Sequence, residues 1–237
     1  MLINTDGIVL RKIPYGENTL IVSVYTAAKG IISLTVKGKK NGAKALLSPL
    51  SIIRVVVDLR NNRNLHYPKE ISLATPFKSI PFDPHKGTVL LFINELLIKV
   101  LKEEEPNQPL FDFIVNALKT LDQPGSLHPG FHLAVMLHLT KFLGFFPQST
   151  HWKDGLQFHL KEGVFVNPYQ QDPSIADSEV SKVLYEFINI GFDQYQQLRL
   201  NRHIRSQLLD LLILYYQLHI PGFGNMKSVD VLRTVFA

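Results

Sequence analysis

The stretch from Lys37 to Lys44, KGKKNGAK, sets four lysines among glycine, asparagine and alanine. Ammonium groups on a backbone with little side-chain bulk suit contact with a polyanion. Each phosphate they neutralise releases counterions and makes binding salt-dependent. The surrounding sequence has the same bias: residues 1–80 hold 12 Lys and Arg against four Asp and Glu, a net +8 in a chain of net +5. The rest of the chain is therefore mildly acidic, and the basic front end is the part suited to a nucleic acid. Its candidate phosphate contacts are Arg11, Lys12, Lys37, Lys39, Lys40, Lys44, Arg54, Arg60 and Arg63, and Tyr25 is the candidate ring for stacking a base. A solvated basic surface with no ligand would have the same composition. Arg199, Arg202 and Arg205, with His203 alongside, form a second cationic set at three-residue spacing, suited to DNA or to an acidic peptide.

Other chemistries find less support. The chain has no G-x-S-x-G, P-loop, G-x-G-x-x-G or H-E-x-x-H motif, and no nucleophile–base pair stands out, so the reading is of a protein that is not an enzyme. With no cysteine, disulfides and thiolate metal sites are ruled out. The nine histidines, His128 and His132 among them, lack convincing ligand spacing, so neither a metal nor a cofactor is expected. Glu103–Glu105 reads as a solvated helix end.

The elements that position these residues fall into two periods. Up to residue 80 the pattern has period two: Leu20, Val22 and Val24, then Ile32, Leu34 and Val36, then Ile53, Val55, Val57 and Leu59 form inward faces. GIVLRKI (Gly7–Ile13) is a further strand with an ambiguous inward face. Asn61–Asn64 reads as a hairpin turn into LHYPKEISL, where Pro68 implies an edge or a bulge. Five short antiparallel strands predict a closed barrel of the OB type. The period then becomes helical, with helices predicted at Gly87–Glu105, Gln108–Leu121, His128–Gly144, Ser178–Gly191, Asp193–Ile220 and Met226–Phe236. The fold class is α+β: a barrel domain over 1–80, then a helical domain over 81–237. Within the latter, 145–174 is an irregular subregion whose LQFHL and GVFVN segments read as a small hairpin.

No apolar run approaches a membrane span and the first residues do not read as a signal peptide, so the expectation is a cytoplasmic protein with no membrane partner.

GIVLRKIPYGENTLIVSVYTAAKGIISLTVKGKK, then LLSPLSIIRVVVDLRNNRNLHYPKEI, resembles the N-terminal domain of the RecO family of bacterial recombination mediators, and MKSVDVLRTVF is similar to the family's ending. The resemblance implies an OB barrel followed by a helical domain. It also implies binding of single- and double-stranded DNA, strand annealing, and recombinase loading with RecR and single-stranded-DNA-binding protein, whose acidic tail would dock beside Arg199–Arg205. Many members carry four zinc-finger cysteines after a segment matching Leu143–Pro147; here Gln148–Val166 has none, and Trp152, Phe158, Val164 and Phe165 are expected to form an apolar cluster instead. The competing reading is a protein-interaction adaptor whose helical domain is the main binding surface.

Overall fold

Alternation of β-branched residues and short turns builds the front of the molecule. The computed structural model describes residues 1–37, 46–59, 64–102, 105–125, 127–168 and 172–235. Its strands are β1 (Leu2–Tyr15), β2 (Thr19–Thr26), β3 (Gly30–Lys37), β4 (Ile52–Asp58), β5 (Leu65–His66) and β6 (Pro68–Thr75), in one sheet of order β5-β3-β2-β1-β4-β6. β5 and β6 lie at opposite ends of that order, yet only Tyr67 separates them in the chain. The sheet must therefore curl until its two ends meet, as in an OB-type barrel, and β3 does touch β6.

The interior is the one the period predicted: Val22 and Val24, Ile32, Leu34 and Val36, and Ile53, Val55 and Val57 form its core with Ile3, Val9 and Leu47, while Leu20 and Leu59 pack at its margin. Pro68 opens an edge strand, with a register shift beside it at Val56/Val57. One pairing differs from the expected antiparallel set. β5 runs parallel to β3, with Ser33 opposite Leu65, so the return from β4 detours across the far edge before β6 pairs with β4. The turn expected at Asn61–Asn64 falls mostly outside the described residues.

The ambiguity of Gly7–Ile13 has a physical cause. The β1–β2 register shifts between Val9 and Arg11, leaving Leu10 as an extra residue. Ile8, Val9 and Leu10 are all buried, because the core takes one side and helices cover the other. Gly7 is required where β1 meets β2: a Cβ there would lie 2.5 Å from Val24 Cγ1. The turn Ser48–Ser51 closes with Ser51 N–H donating to Ser48 O at 3.0 Å, and Leu50 takes φ 58° at the position where a type II turn favours glycine. Leu50 is fully buried, and its N–H donates to Val9 O at 2.8 Å, which holds the strained residue in place.

Contacts divide the chain into Met1–Gly125 and Ser126–Ala237. The first unit adds α1 (Pro84–Val100) and α2 (Gln108–Leu121) to the sheet. Asp83 caps α1 and Asn107 caps α2. α1 ends at Val100, short of the predicted Glu105. The second unit holds α3 (Phe131–Leu143), the hairpin β7 (Gln157–His159) and β8 (Val164–Val166), α4 (Ser178–Ile188), α5 (Arg202–His219) and α6 (Ser228–Val235). Gly144 ends α3 with φ 84°. The predicted helix over Asp193–Ile220 is two pieces, a 3-10 helix Phe192–Gln197 and α5, because Asn201 caps α5 by accepting the Ile204 N–H at 2.9 Å. Tyr215 and Tyr216 of α5 donate through Oη to Phe145 O and Met136 O, each at 2.7 Å. Among the described residues no helix is long and apolar enough to cross a membrane.

Trp152, Phe158 and Phe165 do come together: Trp152 meets Phe165 edge-on at 4.8 Å between centroids and stacks on Tyr185 at 4.5 Å, and Phe158 lies 5.2 Å from Phe165. Val164 is half-buried beside them on β8. Among the described residues no three His, Asp or Glu side chains gather as metal ligands.

Candidate nucleic-acid interface

Register places the front-end candidates. Residues opposite one another in paired strands share a face of the sheet. On the outer face of β1, β2 and β3 the rows are Arg11–Ser23–Ser33, Ile13–Ile21–Thr35 and Tyr15–Thr19–Lys37. The inner face carries Val22, Val24, Leu34 and Val36. The extra residue Leu10 sets this phase: it puts Arg11, Ile13 and Tyr15 outward and aligns Lys12 with Val22 on the inner side. Residues 11–15 are all exposed, so Lys12 reaches solvent, on the other side of the strand from Arg11. Lys37 is exposed, whereas Thr35, on the same side of β3, is buried.

No carboxylate occupies any of those nine positions; Glu17 lies in the turn at their end. Two exposed cations, the half-buried hydroxyl residues Thr19, Ser23 and Ser33 and an exposed tyrosine make a surface that attracts phosphate.

Tyr25 requires a correction. It is 2% exposed, its ring lies 6.0 Å from Phe111 of α2, and its Oη donates to Asn107 O at 3.4 Å. It does sit on the outer face, in the row Ile8–Tyr25–Ile31, but that row runs under the helices, so no base reaches it. Period two gives a residue's side and says nothing about what covers that side. Among the described residues of the barrel the exposed rings are Tyr15, at 62%, and Tyr67; Phe82 is exposed beyond β6. The sequence signal for Tyr15 is its place directly before the turn Gly16–Asn18, beyond the run of core residues.

Arg54 lies elsewhere. It stands opposite Asp6 in the β1–β4 ladder, and Nε and Nη2 donate to the two carboxylate oxygens at 2.8 and 3.2 Å. That hydrogen bond, with the carboxylate's charge, raises the guanidinium above its ordinary value. The row Ile8–Tyr25–Ile31, buried at Ile8 and Tyr25 and half-buried at Ile31, separates it from Arg11 and Lys37. Arg54 instead borders a cavity of about 550 Å³ shared with Phe111, Asp112 and Lys119 of α2. Lys39, Lys40, Lys44, Arg60 and Arg63 lie outside the described residues.

In the second unit Arg199, Arg202 and Arg205 do not share one helix as expected. Arg199 is exposed before the cap Asn201, Arg202 is the first residue of α5, and Arg205 donates through Nη1 to Leu200 O at 2.8 Å. Arg205 borders two cavities, one of about 230 Å³ with His128 and Arg199 and one of about 140 Å³ with His132, Arg202 and Arg233. Arg233 is paired with Asp210. Burial, reinforced by the charge of Arg205, pushes His132 down to about 3 and lowers His128. The histidines are thus neutral beside an arginine cluster at a helix N-terminus, where the dipole adds positive potential. The sequence reading weighed the two histidines only as metal ligands and passed over Arg233, because the fold brings these residues beside Arg205 from distant positions.

Comparison with known proteins agrees with this architecture. Residues 1–77 match the family model described as recombination protein O N terminal, and residues 81–152 match recombination protein O C terminal. The chain is 36% identical over 242 residues to the DNA repair protein RecO of Flavobacterium psychrophilum and 34% identical over 241 residues to that of Christiangramia forsetii, in both cases covering 100% of each chain. The RecO of Bacteroides fragilis is 33% identical, again over 100% of both chains.

Proposed function

Because the chain belongs to the RecO family of DNA repair proteins, we propose that it is a non-enzymatic recombination mediator that binds single- and double-stranded DNA. The observation that carries this reading is the stretch of outer face formed by residues 11–15 of β1, 19–23 of β2 and 33–37 of β3, which holds no carboxylate and on which register sets Arg11 and Lys37 together; Asp6 stands further along β1, paired with Arg54. The sequence runs from Lys37 directly into Lys39, Lys40 and Lys44, which extend the same charge. Annealing follows from such a surface: it lowers the repulsion between two strands and holds them together long enough to pair. Family likeness supports recombinase loading with RecR and single-stranded-DNA-binding protein.

Titration of a labelled oligonucleotide at several salt concentrations tests the reading. Binding falls steeply as salt rises, and Arg11→Gln with Lys37→Gln lowers the slope of log K against log salt by ~1.4 on single strands, or ~0.7 per lost phosphate contact. Salt-insensitive binding, or a slope unchanged in the double variant, would refute it.

The four arginines around the two cavities favour a second role for the Ser126–Ala237 unit, docking an acidic segment such as the tail of a single-stranded-DNA-binding protein. The two roles are compatible, the unit serving as the adaptor and the barrel as the DNA grip.

A further inference from the structure

Tyr15 is at the end of β1, 62% exposed, on the same outer face as Arg11 and in the same row as Lys37. Its neighbours in that row and the next are the half-buried Thr19 and Ile21 and the buried Thr35, so the ring stands more exposed than the β2 and β3 side chains beside it. Ile13, 42% exposed, continues the apolar strip from Tyr15 towards Arg11. The side chains along β1 thus read cation, aliphatic, aromatic, with a second cation two strands away. An unpaired nucleotide presents the complementary groups, a free π-face joined to a charged phosphate.

We propose that Tyr15 stacks on an unpaired base while Arg11 and Lys37 hold the flanking phosphates, so that Tyr15 confers a preference for single-stranded over duplex DNA. This inference rests on the DNA-binding reading above. The physical basis of the preference is access. In a duplex each base face is covered by the next base pair, whereas single-stranded bases offer theirs to aromatic side chains. Phosphates are available in both forms, so Arg11 and Lys37 strengthen binding to either and Tyr15 to one alone. A tyrosine held by exposed strand backbone is also little needed by the core, so its replacement leaves the barrel intact.

The test compares wild type, Tyr15→Ala and Tyr15→Phe by anisotropy with a labelled oligothymidine and with a duplex of equal length, each at several salt concentrations. Tyr15→Ala weakens binding to the oligothymidine by about 5- to 150-fold, leaves its salt slope unchanged and leaves duplex affinity within about twofold; Tyr15→Phe behaves as wild type. Melting curves that superimpose confirm that the variants are folded. If Tyr15→Ala binds the oligothymidine as wild type does while salt-sensitive binding persists, Tyr15 is not a stacking residue although the DNA reading stands. If both DNA forms weaken equally, the stacking role is likewise overturned. Wild type that binds neither form overturns the DNA reading and this inference with it, leaving the face to a protein partner.

Discussion

His132 and His138 lie on α3 with almost no access to water, and both are held neutral well below their ordinary range. Burial is the main cause in each case; Arg205 adds to it for His132, bringing it to about 3, and Lys141 adds to it for His138, against the opposing charge of Asp193, bringing it to about 4. In the unfolded chain a histidine titrates near ~6.5. Their contribution to stability is therefore complete above that value and is lost as pH falls through it towards about 4, because the unfolded chain takes up protons that the folded chain refuses. Across that window the two together lower stability by up to ~2.7 kcal/mol per pH unit. Urea unfolding followed by the emission of Trp152, the only tryptophan, checks this between pH 7 and 5. His138→Phe, placed among Phe146 and Phe192, removes about half of the slope; an unaltered slope would mean that His138 ionises freely in the folded protein.

At the scale of elements, the link between sheet and helices in the first unit turns on Asp122. It follows the last residue of α2, where the helix dipole disfavours a carboxylate. It is kept there by accepting the backbone N–H groups of Lys78, Ser79 and Ile80 at 2.8–3.0 Å. Burial raises its carboxyl, but those three hydrogen bonds and the charge of Lys86 outweigh that and hold it below the ordinary value. The buried Lys86 ammonium donates to Ser79 Oγ and Gln123 O, fastening α1 to the same segment. Asp122→Ala should cost the unit about 2–3 kcal/mol and Asp122→Asn less, since one acceptor oxygen survives. Hydrogen exchange at the Lys78, Ser79 and Ile80 amides should rise in the same order. Protection unchanged in Asp122→Ala would show that the carboxylate does not hold this segment. Little of this is legible in the sequence, where Asp122 and Lys86 look like ordinary surface charges. The inward faces of β2, β3 and β4 are legible because alternation survives along each strand. The phase change at Leu10, the detour of β5 and the break before Asn201 are not, because each depends on pairing or capping rather than on period.

For the molecule as a whole, the same contrast governs the candidate site. Net charge by segment pointed to the front end, and register puts Arg11 and Lys37 on one face there, while Tyr25 is buried, Lys12 turns to the other side and Arg54 stands apart against Asp6. Charge is a property of composition, whereas exposure depends on which face the helices cover. The aromatic cluster of Trp152, Phe158 and Phe165 was foreseeable because apolar residues stand where cysteines would, and it occupies the region in which many relatives are expected to hold zinc. Phe158 is fully buried and also meets Tyr215 of α5 at 5.4 Å, so packing ties the β7–β8 hairpin to α5. If packing alone does this, exhaustive dialysis against a chelator leaves the melting temperature where it was, while Phe158→Ala lowers stability by about 3–5 kcal/mol by opening a cavity in the cluster. Trp152, stacked on Tyr185 and edge-on to Phe165, reports both through its emission. A transition that falls on chelation and returns with added zinc would show that a metal, and not this cluster, secures the hairpin.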